Sequence, residues 1–268
     1  MLIRGHDLQK HRPEQFDILA NLYGITGYQL AIKKSFDIKN TCLSETDIES
    51  IDSVVFQNTK ILGAYFNPVH PDKEEVKVGI ENFIFNMKLA QKFGIKLVGS
   101  ETGSKMGSPW DYHPDNHLEE TIAESIAAFK EIADRTKELD VQIAIEPAYH
   151  HVVKDIDALE QLYDVIGDSR VVYIMDLFNL LNARAYENYK EVATNFLNRA
   201  KSKVKIVHLK DFIIENNQVK QVPIGTGIVD FTFVIDSALA VNPDVLFVLE
   251  GTLEQELPAA MQAISNKQ

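Results

Sequence analysis

The sequence has 268 residues, close to the roughly 250 of one (β/α)8 barrel and enough to bury a full core. Apolar residues make up 45% and charged residues 25%, an ordinary globular balance that argues against disorder. A net charge of −12 speaks against a nucleic-acid partner, whose phosphates need clustered Lys and Arg.

No apolar stretch approaches membrane-spanning length, and the opening MLIRGHDLQKHRPEQ lacks the apolar run of a signal peptide. The single cysteine, Cys42, allows no internal disulfide and has no evident chemical partner. These features lead to the expectation of a cytoplasmic protein with no membrane partner.

Short apolar runs alternate with helix-period stretches along the chain. The first predicted strand is Leu2–His6. Phe16, Leu19, Ala20 and Tyr23 then mark a helix, with Pro13 near its start and Gly24 behind it. Strands follow at Ile25–Ala31 and Ile61–Phe66. Ile80, Phe83, Ile84 and Met87 form the next helical stripe, stopped by Gly94 ahead of a strand at Ile95–Gly99. Ile122, Ile126, Phe129 and Ala133 precede the strand Val141–Glu146. Ile156, Leu159, Tyr163 and Ile166, ended by Gly167, precede Val171–Asp176. The last strands are predicted at Val204–Leu209 and Val245–Glu250. Several of these runs (IAIE, VVYIMD, IVHL, VLFVLE) are continuously apolar, as parallel strands covered on both faces must be.

Eight strand–helix units can close into a barrel or form an open doubly wound sheet. An open sheet usually announces itself by a glycine-rich turn after the first strand. Here that strand runs into HDLQKH, so a single-domain α/β protein with the (β/α)8 TIM-barrel fold is expected over residues 1–268.

Barrel active sites lie at the C-terminal ends of the strands. The last four predicted strands read IAIEP, YIMD, IVHLKD and FVLEG, and each ends at or near a metal-capable side chain: Glu146, Asp176, His208 and Glu250. One strand-end acid is as readily a helix cap or an ion-pair partner. Four on successive strands are hard to explain so, because three carboxylates converging on one mouth repel each other unless a cation sits among them. An oxygen-rich set with one nitrogen suits one divalent ion of Mn, Mg, Zn or Co.

The set IEP, a strand-terminal Asp, HLKD, PIGTGIVDF and a final VLEG resembles the xylose-isomerase-like TIM barrels, over nearly the whole chain up to Glu250. That superfamily includes sugar and sugar-phosphate isomerases and epimerases, inosose-type dehydratases and endonuclease IV-like apurinic-site nucleases. Its ketose 3-epimerase branch implies a metal on Glu146, Asp176, His208 and Glu250, with Glu146 and Glu250 doubling as the catalytic acid–base pair. The resemblance therefore implies a metal-dependent isomerase or epimerase acting on a keto-sugar or sugar phosphate through an enediolate. The same site can serve a dehydratase, and a non-catalytic sugar-binding barrel is a further alternative.

Asp176-Leu-Phe-Asn179 departs from the family's Asp-x-x-His, and Asn179 is a poor metal ligand, which weakens the nuclease reading. Further candidates for substrate contact are Asn179, Glu101, His70, His6, Trp110, Lys210 and Asp211, with Lys210 and Asp211 as possible mutual partners. His150 and His151 follow the Glu146 strand and cannot both face one metal. Gly225 and Gly227 suggest a tight loop over the mouth, and Asp230 an N-cap. Lys105, Arg184 and Lys210 are the cations available for a substrate phosphate, a question left open. The expected partner is a small sugar or polyol, and a homodimer is compatible with the resemblance.

Overall fold

Parallel strands flanked by helices close on themselves. A computed structural model describes residues 1–8, 16–108, 110–182 and 185–265. The barrel strands are β1 (Leu2–Arg4), β2 (Gly27–Leu30), β3 (Thr59–Gly63), β4 (Leu97–Glu101), β5 (Gln142–Glu146), β6 (Val171–Asp176), β7 (Val204–Leu209) and β10 (Leu246–Leu249). They pair in the closed order β1-β10-β7-β6-β5-β4-β3-β2, every pair parallel. This is the (β/α)8 barrel expected from the alternation.

Three helices end on the predicted glycines. Asp72 caps the helix Lys73–Phe93 by accepting from the Glu74 N–H, and Gly94 ends it at φ 72°. Asp155 caps Ile156–Ile166 in the same way, and Gly167 closes it at φ 67°. The first helix, Phe16–Tyr23, is likewise followed by Gly24 at φ 69°; Pro13 lies outside the described residues. No helix among the described residues is long and apolar enough to cross a membrane.

Several boundaries shift, two of them at the mouth. The first strand stops at Arg4, and His6 sits in the 3-10 turn Gly5–Asp7 rather than ending a strand. The fourth runs two residues further than predicted and ends on Glu101, in register with Glu146. The stretch between β7 and the last barrel strand, where no strand was predicted, holds an antiparallel hairpin, β8 (Asp211–Glu215) and β9 (Gln218–Val222). Its two-residue turn is Asn216-Asn217, at φ 53° and 59°, the left-handed pair that suits the twist of a hairpin.

The barrel interior explains the site. Ala144, Ile174, Ile206 and Val248 belong to one buried cluster inside the barrel. Side chains repeat faces every second residue along a strand, so Glu146, Asp176, His208 and Glu250 continue the same inward face one layer higher. The interior Leu2, Ile61 and Leu97 likewise place Arg4, Gly63 and Glu101 on that face. The lower barrel is sealed with apolar side chains, and its top layer is polar.

Candidate metal centre and active-site cavity

Glu146, Asp176, His208 and Glu250 form one buried group, 2%, 0%, 2% and 7% exposed. One ligand-capable atom from each lies within 4.8 Å of the others, the only such group of three or more among the described residues. Nδ1 of His208 lies 2.6 Å from Glu250 Oε2, 3.4 Å from Glu146 Oε2 and 3.5 Å from Asp176 Oδ2. Asp176 Oδ2, His208 Nδ1 and Glu250 Oε2 are buried without a well-aligned hydrogen bond. Buried polar atoms are almost always well hydrogen-bonded, so three ligand-capable atoms that meet at one point through ion-pair contacts alone fit a cation there.

The repulsion among the acids is nevertheless smaller than their number suggests, because two cations already stand beside them. Lys210 Nζ lies 2.7 Å from Asp176 Oδ2 and 2.8 Å from Glu250 Oε1. Arg4 Nη1 reaches the same Glu250 oxygen at 2.5 Å, while its other nitrogens hold Asp7. Burial alone would raise the Glu250 carboxyl, but Lys210, His208 and Arg4 outweigh it and hold the group well below the usual range. Asp176 is lowered too, burial being outweighed by Lys210. Burial disfavours the imidazolium of His208, yet Glu250 and Glu146 raise it well above its ordinary value.

Two neighbours orient the group. Nε2 of His208 lies 3.0 Å from Gln29 Oε1, and Gln29 in turn donates to the Tyr65 hydroxyl at 2.7 Å. A Cβ on Gly63 would stand 2.7 Å from the Tyr65 ring, so that glycine makes room for Tyr65. Asn179 Nδ2 donates to Glu146 Oε1 at 2.7 Å, and its backbone N–H donates to Asp176 Oδ1 at 3.1 Å. The family's usual histidine position thus holds an amide that orients Glu146.

Beside the group opens a cavity of about 550 Å³, lined by Glu101, Trp110, His150, His151, Phe178 and Asn179, with Gln218 and Val219 of the hairpin as one wall. Gln221 ties that hairpin to the mouth by donating to the Glu250 carbonyl at 3.2 Å. Burial raises the Glu101 carboxyl to about 8, helped by Glu146 and Glu250. His151 is pushed down to about 4 by burial, and His150 leans on Asp111 at 2.8 Å.

The other sequence candidates divide. Asp211 is not available to substrate: it is 1% exposed, and its carboxylate accepts from the N–H groups of Phe212, Gly225, Gly227 and Val229. Its predicted pairing with Lys210 is absent, because Lys210 turns to Asp176 and Glu250. Gly225 and Gly227 accordingly wrap the Asp211 carboxylate, and a Cβ on Gly227 would collide with it. Asp230 caps the helix Phe231–Val241, as its position suggested.

His70 takes the Asp72 N–H on its Nδ1 and lines a separate cavity of about 280 Å³ with Tyr65 and Trp110, outside the metal-capable group. His6 has a buried Nδ1 with no hydrogen-bond partner, and burial together with Arg4 pushes it down to about 4. Lys105 is paired with Glu124 at 2.9 Å; Arg184 lies outside the described residues. Sequence reasoning missed Arg4 and Gln29. Arg4 shares the inward parity of Leu2, and this spacing could have found it.

A model of the xylose isomerase-like TIM barrel family matches residues 16–266. Among solved structures, a D-tagatose 3-epimerase-like protein aligns with a TM-score of 0.72 at 13% identity, over 97% of this chain and 94% of its own. An IolI protein with a zinc atom gives 0.69 at 14% identity, over 98% and 94%. The probable 3-DHS dehydratase AsbF of Bacillus anthracis, involved in petrobactin synthesis, gives 0.70 at 12% identity, over 100% and 99%. At these identities the likeness is one of fold. No curated protein sequence matches. The family match spans nearly the whole of a chain that closes as an eight-stranded barrel, and the protein belongs to the xylose isomerase-like TIM barrel family.

Proposed function

We propose that this protein is a metal-dependent isomerase or epimerase that moves a proton beside the carbonyl of a keto-sugar or a close polyol relative. The observation that carries the reading is the convergence of Glu146, Asp176, His208 and Glu250, with three buried atoms left without hydrogen bonds at their centre. These four side chains would hold one divalent ion, Mn, Mg, Zn or Co. When bound, such an ion stabilises negative charge developing on substrate oxygens. Two proteins of similar fold, one D-tagatose 3-epimerase-like and one an IolI protein with a zinc atom, support the reading.

The chain's own groups divide the proton work unequally. Oε1 of Glu146 accepts from a neutral amide, that of Asn179, whereas Oε1 of Glu250 rests on Lys210 and Arg4. Contact with cations lowers the basicity of a carboxylate. Glu146, which Lys210 and Arg4 do not touch, takes the proton beside the carbonyl in this reading, and the return of a proton to the opposite face of an epimerised carbon falls to Glu250. The apolar walls, Trp110 and Phe178, suit the C–H faces of a sugar.

Solvent-deuterium exchange into a panel of ketoses and inososes, read by NMR, tests this with metal-loaded protein. The wild type should exchange at least one of them, and Glu146→Gln or Glu250→Gln should slow exchange by about 100-fold or more while the fold is kept. No exchange across the panel would remove the proposal. Exchange followed by net loss of water would make the enzyme a dehydratase with the same first step.

A further inference from the structure

Glu101 stands apart from the other acids of the mouth. Glu146 is held by Asn179, Asp176 by Lys210 and the Asn179 backbone, and Glu250 by Lys210 and Arg4. The carboxyl group of Glu101 has no hydrogen-bond or ion-pair partner among the described residues. It is half-buried, on the last position of β4, in register with Glu146. It also lines the 550 Å³ cavity into which Asn179 and the two aromatic walls face. A carboxyl that the fold places on a cavity wall and leaves unpartnered is set to bond a group on whatever fills that cavity.

The surrounding charges say what kind of group. A phosphate ester is held where free Arg, Lys or clustered N–H groups offset its charge. Among the described residues no Lys or Arg lines this cavity, and of the cations beside it Lys210 is spent on Asp176 and Glu250 and Arg4 on Glu250 and Asp7. A hydroxyl needs no such cation. A carboxyl group bonds it in either protonation state, by accepting alone when ionised and by accepting and donating when protonated.

We propose that Glu101 is the hydroxyl-binding residue that makes this mouth selective for an uncharged, polyhydroxylated substrate over its phosphate ester. This rests on the reading of the mouth as a sugar site and narrows its substrate class. Glu101 acts on binding, so its removal raises the dissociation constant for substrate without disturbing the metal group.

The test is titration calorimetry with full-length, metal-loaded protein, using free ketohexoses and ketopentoses beside their terminal phosphate esters. The wild type is expected to bind at least one free sugar about tenfold or more tightly than its ester. Glu101→Ala, which removes both the acceptor and the donor, should weaken that free sugar by about tenfold and narrow the preference, with metal affinity within about twofold of wild type as the check on folding. An ester bound as tightly as its free sugar overturns the inference. So does a Glu101→Ala variant with unchanged affinity for the free sugar, or a wild type that binds no free sugar. Deuterium exchange on the same panel separates the two readings. A free sugar that binds but never exchanges counts against the isomerase and leaves Glu101 standing, whereas exchange confined to an ester does the reverse.

Discussion

Oε1 of Gln29 lies 3.0 Å from Nε2 of His208 and thereby decides which nitrogen of that imidazole faces the carboxylates. With Nε2–H engaged by the amide oxygen, Nδ1 is left directed at Glu146, Asp176 and Glu250. Partners of this kind typically contribute 10–100-fold to metal affinity. Gln29→Leu is expected to weaken divalent-metal binding by about that factor in a chelator competition, with the barrel's circular dichroism unchanged. An unaltered affinity would mean that His208 needs no help in presenting Nδ1.

Metal binding should also be coupled to protons. Without metal, the neighbouring carboxylates raise His208 well above its ordinary value despite its burial, so at neutral pH it carries a proton that a cation must displace. Affinity should therefore rise with pH, by about tenfold per unit for each proton released. Calorimetry in two buffers of different ionisation enthalpy should show net proton release on binding at pH 7.

Lys210 occupies the space between two of the acids and competes with any cation for them. Lys210→Met should destabilise the metal-free protein, since removing one partner of a buried ion pair costs about 3–5 kcal/mol. The same change should tighten metal binding. Thermal melts with and without saturating Mn²⁺ would then show a larger metal-induced shift in the variant than in the wild type. Equal shifts would mean that Lys210 and the ion do not share these carboxylates.

Asp211 anchors the return of the hairpin through four backbone N–H groups. Asp211→Asn places an amide where two oxygens accepted, and should cost about 3 kcal/mol, or a Tm lowered by roughly 6–12 °C. If Asp211 were instead a substrate contact, the variant would melt like the wild type and fail only in binding.

His151 sets an acid limit. Burial pushes it from 6.5 to about 4, so in the folded protein it stays neutral while the unfolded chain takes up a proton below 6.5. Its stabilising effect is complete above that value and is lost as pH falls from 6.5 towards 4, by up to about 3 kcal/mol. Denaturant melts across this window should show a shallower pH dependence for His151→Gln than for the wild type. His6, also pushed down to about 4, contributes in the same direction and remains in the variant.

The barrel and its four strand-end donors were legible in the sequence because both depend on short-range patterns. Continuous apolar runs demand strands buried on two faces. The two-residue period then carries Ala144 to Glu146, Ile174 to Asp176, Ile206 to His208 and Val248 to Glu250 on the same inward face. The hairpin was also encoded locally, in the Asn216-Asn217 turn between β-branched runs, although the strand pattern passes over it.

What only the tertiary structure decided is which side chains meet. Arg4 touches Glu250 across 246 positions, and Gln29 touches His208 across 179. Adjacent Lys210 and Asp211 part company, one into the acidic group and the other onto backbone N–H groups. Such pairings follow from barrel closure, which brings the first strand beside the last. Local propensity carries no information about that contact, because it acts over a few residues while closure acts over the whole chain.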